Sequence, residues 1–337
     1  MIKFREARYC NLKLFLIFLV IYGHLIESQI DENTIIYIQY KVIYLFHMPA
    51  FAFLSGLFMK SSSSCVVQLK KTITLYVLLQ MLCFICNRGV VDLFAPYWTL
   101  WYLLSLSWWL CATWCWWKCL RGKGRYVILL VSIVVGCMAG YIEVIGRQFS
   151  FSRTLVFFPY FWLGTIADPE KDWRKYRFPG VAFLCVSIVI FLVCNQQLTA
   201  EFLYQATPYG RISNGAVLRM LCYMMGAAVL LFLLAWIPDK RFLFTKAGAD
   251  TMPAYLLYGL FAAWLRELQL SWYEYVMITG VFLWIQYRML QIKGTIYGVA
   301  EACNRRNGRR CAPFKKYTKK MQENCMDSCF RSPETKY

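Results

Sequence analysis

The chain has 337 residues, of which 59% are hydrophobic and only 16% are charged. This composition excludes an ordinary soluble domain, in which about a quarter of the residues are charged. The formal net charge of +19 raises a nucleic-acid partner as one interpretation. Basic loops that face anionic lipid headgroups explain the charge better. We therefore expect a protein of the lipid bilayer with no nucleic-acid partner.

Hydrophobic segments long enough to cross a hydrocarbon core of about 30 Å recur along most of the chain. Their length and even apolarity favour helices over the strands of a barrel. The predicted fold is an all-α integral membrane protein of about ten transmembrane helices. The predicted spans are residues 12–28, 42–58, 72–87, 97–117, 126–143, 153–167, 178–197, 215–237, 251–267 and 272–290.

The basic residues predict the orientation of these spans. Most of the 37 Lys and Arg residues fall in alternate loops and near the two termini. Because cytoplasmic loops are enriched in such residues, the N- and C-termini are both predicted to be cytoplasmic, and the protein a multi-pass protein of the inner or plasma membrane. Residues 1–290 form the predicted membrane domain, and residues 291–337 a basic cytoplasmic tail. Pro49 and Pro159 leave broken or re-entrant second and sixth spans as an alternative.

The 15 cysteines do not predict a metal site. Cys111, Cys115 and Cys119 form a stripe along one helix, where cysteine usually acts as a small hydrophobic residue. A zinc site built from the tail cysteines is a weaker alternative, because their spacing is irregular. We expect no metal and no bound cofactor.

The only two histidines lie in the first two spans. An ionisable side chain inside the membrane is a functional candidate by default. His24 lies in the outer half of its span, about 16 Å along the helix from Lys13. His47 enters the second span from the same side, so both imidazoles are predicted at one outer site, with Glu27 one turn beyond His24. Helix packing for His24, backbone support for His47 and a solvated loop position for Glu27 are the structural alternatives.

Aromatic and basic residues extend this outer site. Trp98, Trp101 and Arg153 lie near the outer ends of their spans. An aromatic belt at the membrane surface accounts equally for the tryptophans, and a snorkelling side chain accounts for the arginine.

Three motifs resemble the membrane acyltransferase-3 family, and especially its fucose 4-O-acetylase-like branch. They are Arg8-x2-Asn11-x-Lys13, Gly23-His24 and the run from His47-Met-Pro to Leu-Ser-Gly56. Weaker matches follow at 98–101, at 153–164 and at 248–258. The last of these ends on Tyr258, where a histidine is more usual, so no third histidine can be assigned a role.

The resemblance implies an O-acyltransferase that moves an acetyl or other short acyl group from cytoplasmic acyl-CoA to a hydroxyl of a surface carbohydrate or its lipid-linked precursor. His24 would act as the base. His47, Arg153 or an indole N–H would stabilise the developing oxyanion. Arg8 and Lys13 would meet the phosphates of acetyl-CoA, the donor substrate. The expected partners are the bilayer, acyl-CoA, the carbohydrate acceptor and glycan-assembly proteins.

Two other functions remain open from the sequence. A transporter or flippase for an anionic or lipid-linked saccharide would also use intramembrane His and Arg residues and broken helices. A scaffold of a glycan-assembly complex would need neither histidine. The sugar, the acyl length, the oligomeric state and the choice between direct transfer and a covalent intermediate are not encoded in a recognisable pattern.

Overall fold

The computed structural model describes residues 4–86, 95–143, 148–210 and 212–306. These residues form helices and connecting turns, with no strand among them. The helices are α1 (Phe4–Ile26), α2 (Thr34–Leu57), α3 (Ser62–Cys86), α4 (Trp101–Cys119), α5 (Arg125–Met138), α6 (Phe151–Ile166), α7 (Arg177–Cys194), α8 (Ala200–Tyr204), α9 (Gly215–Trp236), α10 (Thr245–Ala249), α11 (Met252–Glu267) and α12 (Trp272–Arg306).

Each predicted span overlaps one of these helices, and α8 and α10 are short additions between spans. Within the described residues, α1, α3, α7 and α9 are long and apolar enough to cross a membrane by length and composition. Helix α12 continues past the predicted boundary at residue 290 as far as Arg306, so the tail begins as helix. The rest of the predicted tail, residues 307–337, lies outside the described part of the chain.

The chain divides into two compact units. The first contains Met1–Ser28 and Pro238–Tyr337, and therefore α1, α10, α11 and α12. The second contains Gln29–Ile237, and therefore α2 to α9.

In the first unit, α10 packs directly on the backbone of α1. A Cβ atom added to Gly248 would lie 1.8 Å from the carbonyl oxygen of Cys10, so only glycine permits this approach. The hydroxyl of Thr245 donates to the Asn11 side chain at 2.7 Å. The buried amide of Gln286, on α12, donates to the carbonyl of Ala247 at 2.8 Å. These contacts fix the short α10 against both α1 and α12.

In the second unit, α2 and α6 cross with glycine at the contact. A Cβ added to Gly56 would lie 1.9 Å from the carbonyl oxygen of Phe161, and one added to Gly164 would lie 2.0 Å from that of Phe53. Each glycine therefore faces the backbone of the opposite helix. The motif that ends at Gly56 and the weaker motif that ends at Gly164 meet at this crossing.

Lys60 links the ends of α2 and α6. It follows α2, and its ammonium donates to the carbonyls of Gly164, Thr165 and Ala167 at 3.1, 2.7 and 2.5 Å. A cation is favourable at the carbonyl end of a helix. Burial lowers the pKa of Lys60 to about 8, while the nearby Asp168 carboxylate acts in the opposite direction.

Pro49 lies inside α2 without breaking it, so the expected alternative of a broken second span is not seen. A proline leaves the carbonyl four residues earlier without its helical donor, here that of Leu45. Gly226 of α9 faces this carbonyl, since an added Cβ would lie 3.2 Å from its oxygen.

The sixth span repeats this arrangement. Pro159 lies inside the continuous helix α6 and leaves the carbonyl of Leu155 without a helical donor. Gly136 of α5 faces that carbonyl, with an added Cβ 3.3 Å from its oxygen. Both proline-containing helices thus remain continuous and lie against a glycine of a neighbouring helix.

Hydrogen bonds in the second unit join helix ends, as two examples show. Lys41, near the start of α2, donates to the carbonyl of Asn195 at the end of α7 at 2.9 Å. The indole of Trp162, near the end of α6, donates to the carbonyl of Arg125 at the start of α5 at 2.8 Å. The start of one helix lies beside the end of another in both cases, as expected for helices of alternating direction.

Candidate active site

The first candidate site lies in the first unit, at the end of α1. His24 occupies the last helical turn and is 8% exposed. A short turn after α1 brings Glu27 back, so that its Oε2 lies 3.4 Å from Nδ1 of His24. The guanidinium of Arg266, on α11, lies 3.5 Å from the same oxygen. Tyr258, fully buried on α11, stacks on the imidazole with ring centroids 5.8 Å apart.

This geometry suits a proton acceptor. A carboxylate beside Nδ1 favours the tautomer in which Nδ1 carries the proton, which leaves Nε2 to accept one. Glu27 would also stabilise the imidazolium that forms, and Arg266 neutralises part of the carboxylate charge. The contact between His24 and Glu27 is the one expected from their spacing.

The start of α1 carries the predicted donor-binding residues. The guanidinium of Arg8, only 4% exposed, binds both carboxylate oxygens of Asp239, with Nη2 and Oδ2 2.6 Å apart. The Asn11 amide donates to the carbonyls on either side of Asp239, at 3.0 Å each. Two nitrogens of Arg8 are therefore engaged within the protein. Lys13 is half-buried on the same helix.

The other predicted site residues belong to the second unit. His47 is 2% exposed, and its Nδ1 lies 2.7 Å from the carbonyl oxygen of Ile43, one turn earlier in α2. That bond places the proton on Nδ1. The ring meets Tyr44 edge-on, with centroids 4.8 Å apart.

Arg153, at the start of α6, is held between two aromatic rings. Its guanidinium lies 4.7 Å from the ring centroid of Trp101 and 4.1 Å from that of Tyr204. Its Nε donates to the carbonyl of Tyr204 at 3.1 Å. Tyr204 in turn stacks on Tyr44 at 6.0 Å. Trp101, Arg153, Tyr204, Tyr44 and His47 thus form a continuous row, which we call the arginine–tyrosine row.

The comparison with known proteins decides the family. A family model described as an acyltransferase domain matches residues 10–287. The chain belongs to the membrane acyltransferase-3 family. No curated protein and no solved structure gives a match.

As a member of the acyltransferase-3 family, the protein is an O-acyltransferase of a membrane. The matched region contains His24, Glu27, His47 and Arg153 and begins just after Arg8. His24 and His47 lie in separate units, so their predicted meeting at one outer site stays a prediction. Trp98 is half-buried in the turn before α4.

The contacts of Arg266 and Asp239 and the stacking of Tyr258 on His24 were not predicted from the sequence. None of the three is close in sequence to its partner, and a charge pattern alone does not pair them. Tyr258 did carry a signal, because it replaces the more usual histidine at the end of the 248–258 motif. Within the described residues no group of three or more His, Cys, Asp or Glu side chains is arranged to hold a metal ion.

Proposed function

We propose that this acyltransferase moves an acetyl or other short acyl group from cytoplasmic acyl-CoA to a hydroxyl of a surface carbohydrate or its lipid-linked precursor, as in the fucose 4-O-acetylase-like branch. The observation that carries the proposal is the contact between His24 and Glu27 at the end of α1, inside the region that matches the family.

In the proposed step, Nε2 of His24 takes the proton of the acceptor hydroxyl. The hydroxyl oxygen then attacks the carbonyl carbon of the thioester, and the carbonyl oxygen becomes an oxyanion. When the oxyanion collapses, the carbon–sulfur bond breaks, and the imidazolium returns its proton to the CoA thiolate. Glu27 holds the imidazole and stabilises its charged form. A hydroxyl needs such a base because it is a poor nucleophile while protonated.

The other assignments complete the proposal. Arg8 and Lys13 contribute to binding the acyl-CoA phosphates. Arg153, Trp98 and Trp101 contact the carbohydrate, and His47 supports them. The chain crosses the plasma membrane, or the inner membrane of a cell with two membranes, about ten times with both termini in the cytoplasm, and it acts beside glycan-assembly proteins.

The test measures CoA release and acceptor acetylation by purified protein with acetyl-CoA and cell-surface glycan. We expect His24→Ala to insert and unfold like the wild type and to lose transfer by about 10²–10⁴-fold, the usual contribution of a positioned base. His24→Gln should not restore it, because glutamine cannot accept the proton. His47→Ala serves as the matched control and should cost less.

Two results would count against the proposal. Near-normal transfer by His24→Ala would remove its role as the base. If wild-type protein released no CoA with or without the acceptor, and instead carried the saccharide into vesicles, the transporter would be favoured.

A further inference from the structure

A second buried arginine of the second unit has no part in the proposed reaction. Arg219 lies one turn into α9 and is 1% exposed. Its Nη1 donates to the carbonyl of Gly136 at 3.1 Å. Its guanidinium lies 4.6 Å from the ring centroid of Tyr209 and 5.7 Å from that of Phe202. One carbonyl and two rings are thus among its contacts.

The positive charge of Arg219 lacks a counter-charge in the described part of the chain. Its Nε is buried and has no hydrogen-bond partner there, and no described carboxylate forms an ion pair with it. Arg8, which is equally buried, has Asp239. A buried cation without an anion is strongly unfavourable, so an anion from outside the described chain is expected at Arg219.

An unsatisfied acceptor belongs to a residue three positions after Phe202 in the chain. Gln205 is 5% exposed, and its Oε1 has no hydrogen-bond partner among the described residues. Its backbone is held in the left-handed region at φ 58, and its N–H donates to the carbonyl of Phe202 at 3.3 Å. Phe202 stacks on Tyr209 with centroids 5.8 Å apart. The donor faces the ring of Phe202 and the acceptor belongs to a residue whose backbone bonds to Phe202, and both lack a partner among the described residues. Buried polar atoms are seldom left unpaired.

We propose that Arg219 binds the carboxylate or phosphate of an acidic sugar, and that Gln205 accepts a hydrogen bond from a hydroxyl of that sugar. The proposal rests on the proposed function in one respect, since it makes the acyl acceptor an acidic saccharide. In the ten-span topology the segment between α7 and α9 faces outside, where the acceptor is presented.

The test is equilibrium binding to purified protein in a detergent free of sugar and phosphate. The probes are methyl glucuronide, glucose 6-phosphate and neutral methyl glucoside, so that carboxylate and phosphate are compared directly. We expect one of the two acidic probes to bind about 10- to 100-fold more tightly than methyl glucoside, the range for a charge-assisted hydrogen bond. Arg219→Gln should remove this preference and leave the affinity for methyl glucoside unchanged.

Arg177→Gln is the matched control. Arg177 also donates to one carbonyl, that of Ala235, and lies over one ring, that of Trp236, but it is exposed to solvent. Its replacement should leave the preference intact. Equal affinities of the wild type for all three probes, or a preference that persists in Arg219→Gln, would overturn the proposal.

A wild-type measurement decides the matter if Arg219→Gln fails to fold. Hydrogen exchange in residues 200–214 should slow with the preferred acidic probe and not with methyl glucoside; no such protection refutes the site. A phospholipid headgroup carries the same oxyanion. Stabilisation by phosphatidylglycerol that depends on Arg219, without binding of acidic sugars, would assign the anion to lipid and overturn the acceptor assignment. Binding of acidic sugar by protein that releases no CoA would refute the proposed function and keep the site.

Discussion

The crossing of α2 and α6 allows a stability prediction that can be worked from the structure. An alanine at Gly56 or Gly164 would place Cβ 1.9 or 2.0 Å from a backbone oxygen of the other helix. An ordinary contact starts near 3.4 Å, so the helices must separate by about 1.5 Å. Such overpacking costs about 1–3 kcal/mol. The separation also stretches the bonds from Lys60 to the carbonyls at the end of α6, and the loss of one or two of them adds about 1–2 kcal/mol.

We therefore expect Gly56→Ala and Gly164→Ala each to lower the free energy of unfolding by about 2–5 kcal/mol. The double variant should lose less unfolding free energy than the sum of the two single losses, because one separation of the helices relieves both clashes. Thermal and denaturant unfolding in detergent provide the measurement. Gly280→Ala is the control, since an added Cβ there meets nothing within 4 Å and alanine should stabilise a helix by about 0.5–1 kcal/mol. Full stability of Gly56→Ala would refute the close crossing.

Three further predictions concern charge. The pKa of Lys60 in the folded protein, about 8, lies below its ordinary value of 10.5, so the unfolded chain binds more protons between these pH values. The stability of the wild type relative to Lys60→Gln should therefore rise by about 1–3 kcal/mol from pH 7.5 to 10.5. If thermal scans showed this relative stability falling from pH 7.5 to 10.5, the hydrogen bonds from Lys60 to the carbonyls would favour its charged form more than burial disfavours it. Arg8→Ala and Asp239→Ala should both destabilise the protein, by about 3–5 kcal/mol for a broken buried pair. Only Arg8→Ala should also weaken acyl-CoA binding in a titration, by about 1.5–3 kcal/mol. Equal acyl-CoA affinity of the wild type and Arg8→Ala would leave Arg8 with a structural role alone. Reporter fusions at Asn33 and Tyr337 should report outside and inside respectively, and the same side for both would exclude the ten-span topology.

Local patterns in the sequence predicted local structure well. The hydrophobic segments predicted the positions of the long helices, because length and apolarity are properties of consecutive residues. The contact between His24 and Glu27 was predictable because residues three apart share a helix face. The ion pair of Arg8 and Asp239 was not predictable, because its members are 231 residues apart. Several other basic residues near the start of the chain could equally have formed an ion pair with a distant carboxylate.

The motifs were harder to interpret, since one run of residues serves two purposes. The segment from His47 to Gly56 suggested chemistry throughout, yet Gly56 is needed for the approach of α6. Pro49 suggested a broken helix, yet α2 is continuous, and Gly226 of a distant segment lies against the carbonyl that the proline leaves without a helical donor. Packing against another helix cannot be read from the segment itself.

The proline carbonyls also restrict how the helices of the second unit can move. Leu45 and Leu155 each present an oxygen that is matched by one glycine on the neighbouring helix. If α9 slid along α2 by a single turn, that oxygen would face a side chain instead of Gly226. The two helices therefore have one favoured register, and a motion of this unit is expected to carry them together as a pair instead of shearing them past each other.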